Sequence, residues 1–396
     1  MRKLLFLGGP IFQLPIIEKA KEMGLRVGVV DWNQDAPART VADDFFCASI
    51  LNREAVFKIV EQYKPSGVIC GACDTSVQTA AAVCEKFHLA GNSLETARNA
   101  TDKYLMLKTF VRGGVPHPKF QYIVKEEIAQ AHPQLSFPLI CKPVDSSGSR
   151  GINLIGNASE YFEKAHESSQ AGKSGDILLE EYLVGNEISV EVIVSDGEPH
   201  VLQVTDKITT GAPHFCEIGQ SQPAVMSQAL RARVEKVAKN ACRAVGLVNS
   251  PAHVEMKLTQ DGPKMVELGA RMAGDTISTY LINRSVKGIN MSEMAIRIAL
   301  GEKIEIPPYG NSGEATAIRF IGSKDGVLTA ISGLGTVRQL PWLDNVTVFG
   351  EVGKRYFVSS SNSDRVGFVV ARGKTTEEAL NRCTEAIHIM NFRWEK

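Results

Sequence analysis

Residues 254–268 read Val254-Glu255-Met256-Lys257-Leu258-Thr259-Gln260-Asp261-Gly262-Pro263-Lys264-Met265-Val266-Glu267-Leu268. The two ends of this stretch alternate apolar and polar residues with a period of two, which predicts strands over 251–258 and 264–268. Thr259 to Pro263 is turn chemistry between them. A hairpin centred on Asp261 sets Glu255 directly opposite Glu267, with Cβ atoms about 4.5–5.5 Å apart. Val254, Met256, Val266 and Leu268 give the other face a burial preference, which constrains the register. Two carboxylates that close repel unless a cation lies between them. Carboxylate oxygens with room for water suit Mg²⁺, above all Mg²⁺ already carrying phosphates. The competing interpretation is a solvent-facing pair in a slightly different register.

Directly after the hairpin comes Gly269-Ala270-Arg271-Met272-Ala273-Gly274-Asp275. An arginine on a glycine-containing loop beside such a site can hold a carboxylate or an anionic intermediate bidentately, or it can be a structural salt bridge. Upstream, an apolar strand over 137–143 is interrupted by Lys142 and followed by Ser146-Ser147-Gly148-Ser149-Arg150-Gly151. A lysine there must snorkel, pair with an acid or meet an anion. Small residues behind it let backbone N–H groups approach phosphate oxygens. The loop is not a Walker A sequence, and a lysine at a strand end with an ordinary polar turn explains it equally well in isolation. In Asp176 to Glu187, an apolar strand leads into Glu180-Glu181-Tyr182-Leu183 and then Glu187. The first four can supply a purine edge and Glu187 a ribose contact, or the whole can be a surface hairpin with solvated acids.

Toward the N-terminus the pattern alternates: strands at 3–7, 26–31 and 67–70, helices at 14–23, 54–63 and 76–87. That argues for a parallel sheet with helices on both faces. Gly8-Gly9 with Asp31 invites a dinucleotide reading, but the G-x-G-x-x-G is absent, so a glycine turn and a strand-end acid are preferred. A helix follows at 101–111 with Thr101 as its cap. Mixed α+β structure then runs to about 305, with further strands at 119–124, 151–155, 176–183, 187–195 and 200–207 and helices at 158–169, 226–245 and 290–300. Pro307-Pro308-Tyr309-Gly310 reads as a linker to a small β-rich domain closed by a helix at 376–390. The expected division is 1–95, 96–306 (with a mobile subdomain at about 115–185) and 307–396.

The 396 residues carry 44 Lys+Arg against 44 Asp+Glu, so nothing in the charge balance asks for a nucleic-acid or membrane partner. With 44% hydrophobic and 22% charged residues, the chain has the composition of a globular protein rather than a disordered chain or a coiled coil. No apolar run approaches a membrane span, no signal segment opens the chain, and the eight cysteines form no framework, so a cytoplasmic setting is expected. Cys70 and Cys73 make a lone CxxC without a partner pair, which favours buried thiols over a metal site.

In this order, the segments resemble the ATP-grasp superfamily of carboxylate–amine ligases, in the branch of L-amino-acid ligases and formate-dependent glycinamide ribonucleotide transformylase. The resemblance covers nearly the whole chain. It implies an N-terminal Rossmann-like parallel-sheet domain, a split ATP-grasp domain and a β-rich C-terminal domain. It further implies that ATP and Mg²⁺ (or Mn²⁺) are bound, a small carboxylate is activated as an acyl phosphate, and an amine displaces the phosphate. By the same resemblance, Lys103 and Lys142 hold the α- and β-phosphates. Ser146, Ser147, Gly148, Ser149 and Gly151 cover the γ-phosphate. Glu180, Glu181, Tyr182 and Leu183 meet adenine, and Glu187 the ribose. Glu255 and Glu267 hold the metal and Arg271 the substrate. Lys207, His214 and Glu217 lie on a segment that faces the substrate pocket in amino-acid ligases, and a homodimer is implied. Gly269 stands where the family often has Asn, which implies a metal ligand missing or replaced by water. A ribonucleotide-using ligase and a non-catalytic nucleotide-binding protein are the alternative functions.

Overall fold

A computed structural model describes residues 1–307, 310–358 and 361–396. Pro308 and Tyr309 of the expected linker lie outside the described residues. The chain is mixed α/β, with a parallel sheet at its N-terminus and a β-rich C-terminal region, as the sequence predicts.

The N-terminal sheet contains β1 (Lys3–Leu7), β2 (Arg26–Asp31), β3 (Asp44–Cys47) and β4 (Gly67–Ile69) in the order β3-β2-β1-β4, all parallel. β3, with only four residues and no alternation, is absent from the sequence reading. Asp31 accepts from the Gly9 and Asn33 N–H groups (both 2.8 Å), so it closes the glycine turn. The next helix spans Lys103–Gly113, and its cap is Asp102, whose side chain accepts from the Leu105 N–H at 2.9 Å, rather than Thr101. Thr101 instead donates back to the Ala97 carbonyl at the end of the helix Leu94–Asn99, which is too short to show a helical period.

Four antiparallel strands follow: β5 (Phe120–Ile123), β6 (Leu139–Pro143), β7 (Asn153–Ile155) and β8 (Ile177–Glu181), ordered β5-β8-β6-β7. Then come β9 (Asn186–Ser195), β10 (Glu198–Thr209), β11 (Glu217–Gln222), β12 (Ser250–Thr259) and β13 (Gly262–Gly269). The C-terminal region adds β14 (Ala315–Gly322), β15 (Gly326–Ser332), β16 (Leu343–Val348), β17 (Arg355–Tyr356), β18 (Arg365–Gly373) and β19 (Asn391–Glu395). Eight of these form one sheet, β13-β12-β9-β10-β11-β14-β18-β16. It crosses the division expected at 307, because β11 pairs antiparallel with β14 from Gly219↔Arg319 to Gln222↔Thr316. β11 was missed because its sequence, EIGQSQ, buries Gln220, Ser221 and Gln222 instead of apolar residues.

The N-terminal sheet is held to the rest through β4 and the helix Met291–Ala299. A Cβ built on Gly67 would lie 2.2 Å from the Ala299 carbonyl oxygen, which is backbone and cannot swing away. Gly67→Ala should therefore cost about 1–3 kcal/mol of stability, read as a lowered urea midpoint; an unchanged midpoint would show that this contact yields freely.

Candidate active site

A cavity of about 620 Å³ lies where the two antiparallel sheets, the N-terminal domain and the C-terminal strands meet. Glu255 and Glu267 pair directly across β12 and β13, as expected, but by a different route. The tight turn is Gln260-Asp261, with Thr259 opposite Gly262, so the hairpin is centred half a residue earlier than Asp261. A β-bulge beside Glu255 then adds one residue to β13 and restores the opposition. Val266 is that added residue. It lines the cavity with Glu267 instead of joining the buried face.

In this arrangement each candidate phosphate cation rests on an acid. Lys103 Nζ donates to Glu267 Oε1 (2.8 Å) and to the Ser146 carbonyl (2.6 Å). Lys142 Nζ meets Glu180 Oε2 at 2.8 Å, both side chains almost fully buried, while Glu180 Oε1 has no partner among the described residues. Ser147, Gly148, Ser149 and Arg150 line the cavity, and left-handed backbone at Gly148 and Ser149 bends the loop over it. Ser146 and Gly151 sit outside the lining. Ser146 contributes its carbonyl to Lys103. Gly151 is required by packing, since a Cβ there would come within 2.4 Å of the Ala171 Cβ. Glu180, Glu181, Tyr182, Leu183 and Glu187 all line the cavity, with Glu181 held by Lys264 at 2.9 Å.

Beneath Glu255 lies Lys207, its side chain 1% exposed. Its Nζ reaches Glu187 on β9 (2.9 Å), Glu217 on β11 (2.9 Å) and Glu255 on β12 (3.0 Å). Burial works against the Lys207 charge, but the three carboxylates outweigh it and raise its pKa well above the ordinary lysine range. Burial likewise disfavours the Glu255 charge, yet Lys207 and His253 hold its carboxyl well below the usual range. His253 bridges Glu191 Oε1 (2.8 Å) and Glu255 Oε1 (3.0 Å); burial pulls its pKa down, and the two acids more than reverse that, raising it to about 10.

Arg271 faces the cavity but is clasped by Asp74 from the N-terminal domain, Nε to Oδ1 at 2.6 Å and Nη2 to Oδ2 at 2.8 Å. Glu217 lines the cavity, whereas His214 is exposed and outside it; left-handed backbone at Phe215 turns the phenyl ring inward in its place. That is a correction to the pocket role expected of His214. The sequence reading also missed Asp74, His253, Lys257, Asp275 and Arg365, all of which line the cavity. His253 and Lys257 were within reach, since they alternate with Glu255 along β12.

Among the described residues no group of three or more His, Cys, Asp or Glu side chains is arranged to hold a metal ion by itself. The two facing glutamates fit a hard cation whose other ligands are phosphate oxygens and water, which is how Mg²⁺ is commonly bound. No helix of the described residues is long and apolar enough to cross a membrane.

Residues 135–279 match the family model for the ATP-grasp domain, and residues 319–395 that for L-amino acid ligase C-terminal domain 2. Carnosine synthase 1 of Gallus gallus is 26% identical over 395 residues, covering 89% of this chain and 41% of the synthase. This chain thus spans less than half the length of that relative. The formate-dependent phosphoribosylglycinamide formyltransferase of Prochlorococcus marinus (strain NATL1A) is 26% identical over 407 residues, covering 99% of this chain and 98% of that enzyme. The crystal structure of an L-amino acid ligase from Bacillus licheniformis matches with a TM-score of 0.86 at 23% identity, over 100% of this chain and 99% of that one.

Proposed function

We propose, from an ATP-grasp domain followed by an L-amino acid ligase C-terminal domain, that this chain is an ADP-forming carboxylate–amine ligase. It activates a small carboxylate, foremost an amino acid, and joins it to an amine. The observation that carries the proposal is the opposition of Glu255 and Glu267 in one cavity with Lys142, the Ser-Gly loop and Arg271, and with Lys103 bonded to Glu267 at its wall.

In this proposal Lys103 and Lys142 leave Glu267 and Glu180 for the α- and β-phosphates of ATP. Ser147, Gly148 and Ser149 close over the γ-phosphate. Glu180 to Leu183 border adenine, and Glu187 takes the ribose. Glu255 and Glu267 would hold Mg²⁺, or Mn²⁺ in its place. When bound, that ion supplies charge neutralisation at the phosphates. Arg271 steadies the carboxylate while its oxygen attacks the γ-phosphorus and the bond to ADP breaks. The lone pair of the neutral amine then attacks the acyl carbon, phosphate departs with the bonding electrons, and the proton lost from nitrogen passes to the phosphate. The chain's part is positioning and charge stabilisation, and closure of the loop keeps water from the acyl phosphate. Lys207 and Glu217 act here by holding Glu255 and the substrate end in place. A homodimer and a cytoplasmic setting belong to the proposal through family resemblance alone.

Lys142→Ala should weaken ATP binding about tenfold to a hundredfold, the value of a charge-assisted contact. Calorimetric titration reads this, and unchanged affinity would dismiss the phosphate role. The formate-using ribonucleotide ligase is kept as a second reading because the Prochlorococcus relative matches along nearly its whole length. Phosphate release with ATP, Mg²⁺ and amino acids singly and in pairs, against formate with ribonucleotide amines, tests both. Release with no acid in either set would end the ligase proposal.

A further inference from the structure

The cavity has a further end built around β11, where Lys207 meets Glu217. Glu217 on β11, Asp275 after β13 and Arg365 at the start of β18 meet there. Arg365 donates from Nη1 to Asp275 Oδ2 (2.8 Å) and from Nη2 to the Glu217 carbonyl (3.0 Å), and its Nη2 lies 3.9 Å from Glu217 Oε2. The guanidinium stacks on Phe320, 3.5 Å from the ring centroid, so it is braced from behind.

Negative charge is in excess here. Asp275 and Glu217 share Arg365, and the lysine at Glu217, Lys207, is divided among Glu217, Glu187 and Glu255. His253 does not alter the balance, because Glu191 pairs with it. A bound ammonium would offset that excess, whereas a phosphate dianion would add to it. Gln220, 1% exposed, donates from Nε2 to Glu217 Oε2 (2.7 Å) and leaves Oε1 buried without a hydrogen-bond partner among the described residues. An unsatisfied acceptor calls for a donor, which an ammonium supplies.

Asp275 and Thr276 are both left-handed, at φ 53° and 67°. Two successive non-glycine residues in that conformation are costly, and such strain collects where side chains must be aimed at a ligand. The facing wall is apolar. Phe12 from the N-terminal domain and Phe349 from the C-terminal region both pack on Phe368, with centroids 5.9 and 6.5 Å away, and Ile277 completes the wall.

We propose that this end is the acceptor subsite. The amine docks as an ammonium against Asp275 and Glu217 and gives one proton to these carboxylates, which frees its lone pair for attack; its body lies between Phe12, Ile277 and Phe349, and phosphorylated amines are rejected. Arg365 is a positioning residue that holds Asp275 toward the cavity. This inference rests on the ligase reading above, and it selects an apolar amine over a sugar-phosphate amine.

The test uses the full chain with ATP and Mg²⁺. Hydroxylamine is first supplied as the acceptor, with formate and the common amino acids as carboxylates. Hydroxamate formation shows that an acid is activated; its absence with every acid brings down the ligase reading itself. With the best acid, phenethylamine, ethylamine and phosphoethanolamine are then compared. The expected result is that kcat/KM for phenethylamine exceeds that for phosphoethanolamine by about a hundredfold or more. Comparable use of phosphoethanolamine, with hydroxamate still formed, overturns the subsite alone. Asp275→Asn should raise KM for phenethylamine about tenfold while moving KM for ATP less than about twofold; no change, or an equal change in both, counts against the subsite. Phe349→Ala leaves the charges in place and should penalise phenethylamine more than ethylamine. It keeps the question decidable if Asp275→Asn fails to fold, and equal penalties would overturn the apolar wall.

Discussion

Glu267→Gln is expected to cut ADP release by about a hundredfold to a thousandfold, the scale of losing one preorganised electrostatic contact at a reacting centre. The substitution keeps the shape of the side chain and removes one negative charge. It acts twice. The facing pair loses half of its anionic character, so the divalent cation of the proposed ligase would keep Glu255 as its one carboxylate from this pair. Lys103, 7% exposed, also exchanges its charged partner for a neutral amide oxygen, beside the Ser146 carbonyl that it keeps. The Glu267 side chain is 35% exposed, so the fold should survive, and circular dichroism separates lost activity from lost structure. Turnover at the wild-type rate in the folded variant would remove Glu267 from the site.

A second large effect is expected at Lys207, this time in stability. Lys207→Met leaves Glu187, Glu217 and Glu255 crowded around an apolar side chain. Breaking a buried ion pair from one side typically costs about 3–5 kcal/mol. Lys257 still serves Glu187 and Arg365 still lies near Glu217, which moderates the loss without replacing the shared cation. Because the folded-state pKa of Lys207 is raised, its stabilising contribution is complete below the unfolded lysine pKa and fades only as pH climbs through the higher folded value. The wild type therefore keeps this contribution across the neutral range. Urea unfolding at neutral pH measures the difference, and a loss under about 1 kcal/mol would place the cluster among exposed, weak pairs.

The parts of this site that follow a local period were legible before any coordinates. β12 and β13 announce themselves by alternation, and so does the opposition of Glu255 and Glu267. The bulge that produces that opposition leaves no such mark, because Val266 looks like one more core residue. A cavity-facing loop was legible at Lys142 and the Ser-Gly run, but Gly151 was counted in it, whereas it packs against Ala171 outside the lining. His214 failed because a turn preceding Glu217 carries no period from which to tell inward from outward. The partners of Arg271 and Asp275 were out of reach altogether. Asp74 and Arg365 stand 197 and 90 residues away in the chain and meet them only when separate regions pack together. Burial of polar strands is the other blind spot, since β11 carries glutamines where an apolar stripe was sought.

The pairing of β11 with β14 bears on how the protein can be handled. Truncation after residue 307 would strip β11 of its neighbour and expose a row of free amide and carbonyl groups along it. Naked strand borders of this kind recruit other chains and drive aggregation. The same cut would discard Arg365, Phe349 and Phe320. The minimal soluble unit is therefore expected to extend through the C-terminal strands, and a shortened version should precipitate rather than merely lose a regulatory appendage.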